Sequence, residues 1–149
     1  MKISEEMMNE QAVAFASRTG AYGPENRALM ERFKKWAYDS GYMTEDAVIL
    51  GIACDAVSNT PPDECLYLVC LLGEYAVDEP WIEQGAISGG KYAVMELPHT
   101  AEAVALAWQQ GMPQLHEMGY EFDFSRPIIE RYKKSLVDKG ICEMLFPII

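Results

Sequence analysis

The chain has 149 residues, 50% of them hydrophobic, and a formal net charge of -11 at pH 7. This length favours one domain or two small fused modules. An acidic surface repels phosphate backbones and attracts cations, so direct nucleic-acid binding is disfavoured, although the charge could also serve solubility alone. The apolar stretches are too short to cross a bilayer, and the acidic start lacks the apolar region of a secretory signal. We therefore expect a cytoplasmic protein that makes no membrane contact.

The cysteines and histidines do not suggest a metal site. The four cysteines form no CxxC pair, and the chain has only two histidines. Most of the cysteines lie within apolar runs, where a buried thiol behaves as a small hydrophobic group. The chain also lacks a nucleotide-binding loop, a dinucleotide fingerprint and a GxSxG motif. We expect neither a bound metal nor a cofactor.

The first half of the chain predicts the order strand, helix, strand, strand. The helix has Pro24 near its start and Gly41 after its last turn, which are typical boundary signals. Its apolar residues Phe33 and Trp36 fall on one face at helical spacing. Pro61 and its neighbours predict a turn between the last two strands. The predicted segments are 11–17 (strand), 23–42 (helix), 46–56 (strand), 58–63 (turn) and 64–73 (strand).

The second half repeats the same order. Its helix contains Gly111 and Pro113, which predict a kink or a break near Met112. The Gly-Tyr pairs at 41–42 and 119–120, which follow the two helices, are 78 residues apart. The predicted segments are 90–97 (strand), 100–120 (helix), 126–134 (strand) and 140–148 (strand).

A shared offset between several elements indicates a tandem duplication, with modules at about 9–73 and 85–149 in a single domain of residues 1–149. Two such β-α-β-β modules predict an α+β fold with an antiparallel sheet and helices on one face. A pseudo-two-fold axis between the modules leaves a central hydrophobic cleft, and ligand sites are commonly concave and apolar.

The last strand contains one acidic residue, Glu143, among apolar neighbours. Strand alternation places it on the same face as Leu145. An unpaired buried carboxylate is costly. We therefore expect either a bound cation in the cleft or an internal salt bridge to Arg126, Lys133 or Lys134, unless the side chain is simply exposed.

Several short motifs together resemble the GyrI-like small-molecule-binding domain, also called the AraC effector-binding domain, a family that includes a DNA gyrase inhibitor. Their order and spacing over about 130 residues make the resemblance more specific than any one motif. The motifs are "AFASRTGAYG" with Gly20 and Tyr22, "DAVSNTPPDEC" (55–65), "GGKYAV" (89–94), the strand pattern Pro127, Glu130 and Tyr132, and the final strand 142–148.

The resemblance implies two pseudo-symmetric modules around a solvent-reachable cleft. Relatives fused to helix-turn-helix regions sense lipophilic cationic drugs, and some relatives are described as hydrolases of strained cyclopropane rings in DNA-alkylating compounds. The family's cation-recognising acid corresponds to Glu143. Because this chain has no helix-turn-helix, a regulatory role would need a separate regulator protein, and either a monomer or a homodimer fits.

This chain departs from the family pattern in two places. The second Gly-Pro-Tyr motif is replaced by His99, Thr100 and Ala101, which removes an aromatic ring from the expected cleft. Leu68 stands where the family often has an acidic residue. Both changes predict a less symmetric cleft in which Glu143 is the only strong charge.

Aromatic side chains are the other candidates for the binding site, since a ring beside a carboxylate suits a flat organic cation. For each of them, core packing is the alternative. The candidate ligand-binding residues are Glu143, Trp108, Tyr132, Tyr67, Tyr22 and Leu145.

Three functions are compatible with the sequence. The first is binding of a lipophilic, cationic small molecule for sensing or sequestration. The second is hydrolysis of reactive cyclopropane-type DNA-alkylating compounds, with Glu143 as base and Tyr132 as proton donor. The third is a protein-interaction role such as inhibition of DNA gyrase.

Overall fold

The computed structural model describes residues 2–55 and 59–149. It shows the predicted α+β architecture, with one antiparallel sheet of eight strands. Part of the predicted strand 46–56 and of the predicted turn 58–63 lies outside the described residues. The strands are β1 (Lys2–Met8), β2 (Gln11–Thr19), β3 (Val48–Ala53), β4 (Leu66–Leu72), β5 (Glu83–Ile87), β6 (Gly90–Pro98), β7 (Ile129–Lys133) and β8 (Ile141–Pro147), and the helices are α1 (Pro24–Asp39), α2 (Ala101–Glu117) and α3 (Lys134–Val137).

The strand order shows the predicted pseudo-two-fold symmetry. The sheet runs β1-β6-β8-β7-β3-β4-β2-β5, so β7 and β3 are adjacent at its centre. On either side of this central pair, the halves match strand for strand. Each half also contributes its first strand to the other half, because β1 pairs with β6 and β5 pairs with β2.

These two exchanged strands, β1 and β5, were not predicted from the sequence. Both form edges of the sheet, and most of their residues are exposed or only partly buried. An edge strand carries charged side chains and lacks the apolar alternation of a half-buried strand. Their pairing is therefore decided by tertiary contacts that local sequence does not encode.

Helix α1 forms as its sequence indicates. Pro24 occupies the first turn, where its missing N–H is tolerated. Gly41 follows the helix with φ of 79°, a conformation that favours glycine. Phe33, Trp36 and Ala37 are buried against the sheet. This apolar face anchors α1 over the first half of the sheet.

Helix α2 is continuous over Ala101–Glu117, so of the kink or break predicted near Met112 the break is wrong. Thr100 caps its start by accepting a hydrogen bond from the Ala103 N–H at 3.1 Å. Gly111 is buried where α2 crosses β8, and a Cβ added there would lie 2.5 Å from Cζ of Phe146. The glycine therefore permits close packing of the helix on the sheet.

The face of the sheet opposite the helices also contains a core. Only two residues connect β1 to β2, and only two connect β5 to β6. Because these strands lie at or near opposite edges, the sheet must curve to bring its edges together at this end. The curvature encloses Leu50, Ile52, Tyr92 and Leu145. The helices cover the other face, where α1 and α2 leave a space between them.

Among the described residues, none of the helices combines the length and apolar character that crossing a bilayer would require.

Candidate functional site

A cleft of about 1080 Å³ lies between α1 and α2, above the central strands β3 and β7. A volume of this order accommodates a drug-sized molecule. Its apolar walls include Met30 from α1, Val104 and Met112 from α2, and Phe146 from β8. Aromatic side chains complete the lining: Tyr22, Tyr67, Trp108, Phe122, Phe124 and Tyr132.

Glu130 is the acidic residue at the centre of this cleft. It lies on β7 opposite Gly51 of β3, within the ladder that joins the two halves. Its carboxylate accepts hydrogen bonds from Trp108 Nε1 at 2.7 Å and from the Tyr132 hydroxyl at 3.0 Å. In the part of the chain that the structure describes, no lysine or arginine forms a salt bridge with it.

Gly51 provides the room for this arrangement. A Cβ at this position would lie 2.9 Å from the Tyr67 hydroxyl and 3.2 Å from Oε1 of Glu130. It would also touch the methyl group of Met30 at 3.4 Å. A side chain on this central strand would therefore occupy the space that the carboxylate and the phenol now fill.

The two tyrosines beside Glu130 stay protonated at neutral pH. Burial raises the pKa of Tyr132, and the negative charge of Glu130 raises it further. Burial and the same carboxylate also raise the pKa of Tyr67. Both phenols are therefore neutral, and that of Tyr132 donates a hydrogen bond to the Glu130 carboxylate at the floor of the cleft.

Four of the candidate residues line the cleft: Trp108, Tyr132, Tyr67 and Tyr22. Trp108 is 40% exposed, so its ring faces the cleft opening rather than the core. Tyr22 also has a structural role, because its hydroxyl donates to the Leu66 carbonyl at 2.6 Å and accepts from the Asp55 N–H at 3.0 Å. These contacts hold the entrance of α1 against the sheet.

The expectation that Glu143 is an unpaired charge in the cleft is wrong. Glu143 lies outside the cleft lining and is buried, with both oxygens bound by Arg131. Arg131 Nε and Nη2 donate to its Oε1 and Oε2 at 2.9 and 3.0 Å. Lys133 Nζ lies 3.7 Å from Oε1, so one of the three predicted salt-bridge partners is present at longer range.

Arg131 connects three strands, because it lies on β7 and binds carboxylates on both β8 and β1. It also donates to Glu6 of β1 at 2.7 and 3.0 Å. Burial by itself would lower the pKa of Arg131, but hydrogen bonds to the two carboxylates outweigh burial and raise it. The bond to Arg131 in turn lowers the pKa of Glu6. Glu143 thus belongs to a partly buried ion cluster that holds the exchanged strand β1 near β7 and β8.

Leu145 shares the face of Glu143 and lies outside the cleft lining as well. It is fully buried in the core opposite the helices, with Tyr92 and Ile129. The predicted pair of Glu143 with Tyr132 is also absent, because the hydroxyl of Tyr132 binds Glu130. The expectation that the cleft contains a single strong charge is also wrong, because Glu130 lies at its centre and Lys34 and Arg126 line it too.

The sequence contained a signal for Glu130 that was not used. Tyr132 was a candidate, and strand alternation places the residue two positions before it on the same face. Glu130 also belongs to the motif Pro127, Glu130 and Tyr132 on which the family resemblance partly rests. The acidic residue of the last strand, Glu143, is more conspicuous in the sequence because its neighbours are all apolar.

The two departures from the family pattern lie on opposite sides of the sheet. The ring of His99 lies 5.5 Å from that of Tyr132 and lines the cleft, so an aromatic ring is present there after all. Leu68 packs against the core on the far face, away from the cleft. Within residues 2–55 and 59–149, no group of three or more His, Cys, Asp or Glu side chains could hold a metal ion.

Comparison with known proteins places this fold and cleft in a family. The model of the GyrI-like small molecule binding domain matches residues 1–149. The chain is also 40% identical, over 151 aligned positions and 99% of each chain, to the SPbeta prophage-derived putative transcriptional regulator YosT of Bacillus subtilis strain 168. The chain belongs to the GyrI-like family.

Solved structures share this GyrI-like fold at low sequence identity. The structure of SAV2435 bound to tetraphenylphosphonium has a TM-score of 0.67 and 18% identity, and the match covers 100% of this chain and 94% of that one. The C-terminal domain of EcmrR has a TM-score of 0.72 and 13% identity, covering 99% and 97% of the two chains. The cleft described above is therefore part of a GyrI-like small-molecule-binding domain.

Proposed function

We propose that this GyrI-like domain binds lipophilic organic cations in the cleft, with Glu130 as the counter-charge. The observation that carries the proposal is a carboxylate at the floor of an aromatic-lined cleft, hydrogen-bonded by neutral donors and without a salt bridge among the described residues. Trp108 and Tyr132 fix its orientation, and because both donors are neutral they do not cancel its negative charge.

The affinity of the cleft for a cation depends on how the ligand carries its charge. A delocalised cation gives up little hydration, so apolar walls such as Met30 and Met112 can supply much of the affinity. The rings of Trp108 and Tyr132 add cation–π attraction of about 0.5–2 kcal/mol each. The net charge of -11 further raises the local concentration of cations.

The comparisons support the chemical class of the ligand. SAV2435, which shares the fold, has been solved with tetraphenylphosphonium, a cation with four aromatic rings around its charge. The rings of Tyr22 and Tyr67, from the first half of the chain, and of Phe146, from the second half, line the cleft and offer surfaces to such rings.

The test is a titration of tetraphenylphosphonium into the wild-type protein and Glu130→Gln. The substitution removes the charge and keeps the shape, so we expect at least a tenfold weaker Kd, or about 1.4 kcal/mol. Glu31→Gln is the matched control, because Glu31 is an exposed carboxylate at the cleft rim whose charge is screened by water. Equal affinity in wild type and Glu130→Gln would refute the proposal.

Hydrolysis of a reactive electrophile is the second candidate, and the hydrogen bond between Glu130 and Tyr132 is the observation in its favour. Glu130 replaces Glu143 as the base in this scheme. The raised pKa of Tyr132 disfavours its use as an acid. Recovery of a cyclopropane-containing alkylating compound unchanged, after incubation with excess protein, would eliminate this candidate.

For a sensing role, we propose that a regulator protein reads the bound state of the domain. The relative YosT, named as a putative transcriptional regulator, supports that context. Such a role would place this protein in the cytoplasm, and this location is part of the proposal.

A further inference from the structure

Lys34 places a positive charge inside the cleft. It lies on α1, is partly buried and lines the cleft, and its Nζ is 5.6 Å from the centroid of the Tyr132 ring. An ammonium group within about 6 Å of an aromatic face is attracted to it. Among residues that the structure describes, Lys34 forms no salt bridge, whereas the neighbouring Lys35 pairs with Asp39 at 2.7 Å.

Tyr132 connects this ammonium group to the carboxylate at the cleft floor. Its hydroxyl donates to Glu130 Oε1 at 3.0 Å, while its ring faces Lys34. The ammonium group therefore lies beside the ring that the proposed ligand would use. It supplies positive charge to this part of the cleft before any ligand arrives.

We propose that Lys34 is a resident cation that sets the affinity and charge selectivity of the cleft. In the free protein it partly balances Glu130 and occupies the face of Tyr132. A ligand cation must displace it or bind beside it against like-charge repulsion. Large cations compensate through their apolar surface, whereas small ammonium ions cannot. This inference rests on the proposed function and adds a determinant of ligand class to it.

The test compares Lys34→Met with wild type by titration of tetraphenylphosphonium. Methionine keeps an unbranched apolar side chain and removes the charge, so we expect at least fivefold tighter binding. Lys34→Arg retains the charge and should stay within twofold of wild type. Lys35→Met is the matched control, since it removes a neighbouring charge whose side chain is 76% exposed and paired outside the cleft.

A small cation tests the selectivity directly. Tetramethylammonium should gain more from Lys34→Met than tetraphenylphosphonium does, because it has less apolar surface to offset the repulsion. An equal or smaller gain for tetramethylammonium would overturn the selectivity role.

The outcome for Glu130→Gln separates this inference from the proposed function. If that variant loses affinity for tetraphenylphosphonium while Lys34→Met binds no tighter than wild type, the resident-cation proposal is overturned and the proposed function stands. If Glu130→Gln binds tetraphenylphosphonium as wild type does, both the proposed function and the resident-cation proposal fail. The proposed role of Lys34 is to balance the Glu130 carboxylate, so it requires that this carboxylate contributes to binding. Thermal unfolding midpoints close to wild type would show that each variant is folded.

Discussion

Glu130 and Glu143 are acidic residues on adjacent strands whose side chains leave opposite faces of the sheet. Glu143 lies directly opposite Arg131 in the β7–β8 ladder, and the two share a face. Glu130, one position earlier on β7, points to the helix side and reaches Trp108. Two adjacent positions on β7 therefore have different roles: Arg131 forms an ion pair with Glu143 on one face, and the Glu130 carboxylate faces the cleft on the other.

Removal of the Glu143 charge should cost stability and leave ligand binding intact. Arg131 is 5% exposed, and Glu143→Gln would leave its charge balanced by Glu6 alone. We expect the free energy of unfolding to fall by about 1.5–3 kcal/mol, measured by urea denaturation. The affinity of the folded protein for tetraphenylphosphonium should stay within twofold of wild type.

Glu121→Gln is the control for that prediction, because Glu121 is exposed and should change stability little. A Glu143→Gln variant with unchanged stability and tenfold weaker ligand binding would contradict the assignment of the two carboxylates.

At the scale of elements, the two helices have different roles in shaping the cleft. Helix α1 carries Met30 and Lys34 into it, whereas α2 carries Val104 and Trp108. The distance of α2 from the sheet depends on Gly111, which contacts the ring of Phe146. A small residue at this crossing keeps Trp108 within hydrogen-bonding distance of Glu130.

Gly111→Ala should therefore destabilise the protein although alanine is the better helix former. The added methyl group would overlap the ring of Phe146, and overpacking costs about 1–3 kcal/mol. The gain in helix propensity returns up to about 1 kcal/mol. We expect a net loss of about 1–2 kcal/mol in urea denaturation. Gln110→Ala, at the exposed neighbouring position, controls for propensity, and an equally stable Gly111→Ala protein would show that α2 can move.

At the scale of the whole molecule, buried and partly buried thiols make the free energy of unfolding fall at alkaline pH. Burial raises the pKa of Cys54 and Cys142 to about 11 and that of Cys70 to about 12, from an ordinary value of 9.0. Above pH 9 the unfolded chain loses these protons while the folded protein keeps them. The folded state then binds more protons, so its stability falls as pH rises.

We expect the free energy of unfolding to decrease from about pH 9 upward, with each cysteine adding up to about 1.4 kcal/mol per pH unit. Urea denaturation at pH 8 and pH 10 measures the decrease. Cys70→Ala should show a smaller decrease than wild type, because it removes one of the titrating thiols. The same decrease in both proteins would mean that Cys70 does not contribute.

The sequence alone determined the two long helices, the six strands other than β1 and β5, and the repeat of their order. Apolar spacing with Pro24 and Gly41 defined α1, and the two Gly-Tyr pairs revealed the repeat, because these signals are local. The sequence also identified aromatic residues of the binding site, because Trp108 and Tyr132 were among the candidates and both line the cleft.

Only the tertiary structure decided which carboxylate faces the cleft and which strands close the sheet. Alternation states that Glu130 shares a face with Tyr132 and that Glu143 shares one with Leu145, but it does not say which face the helices cover. The answer depends on the pairing of Arg131 with Glu143 and of β1 with β6, which are contacts between residues distant in sequence. Such pairing is fixed by the burial and charge balance of the whole sheet, and no local pattern carries that information.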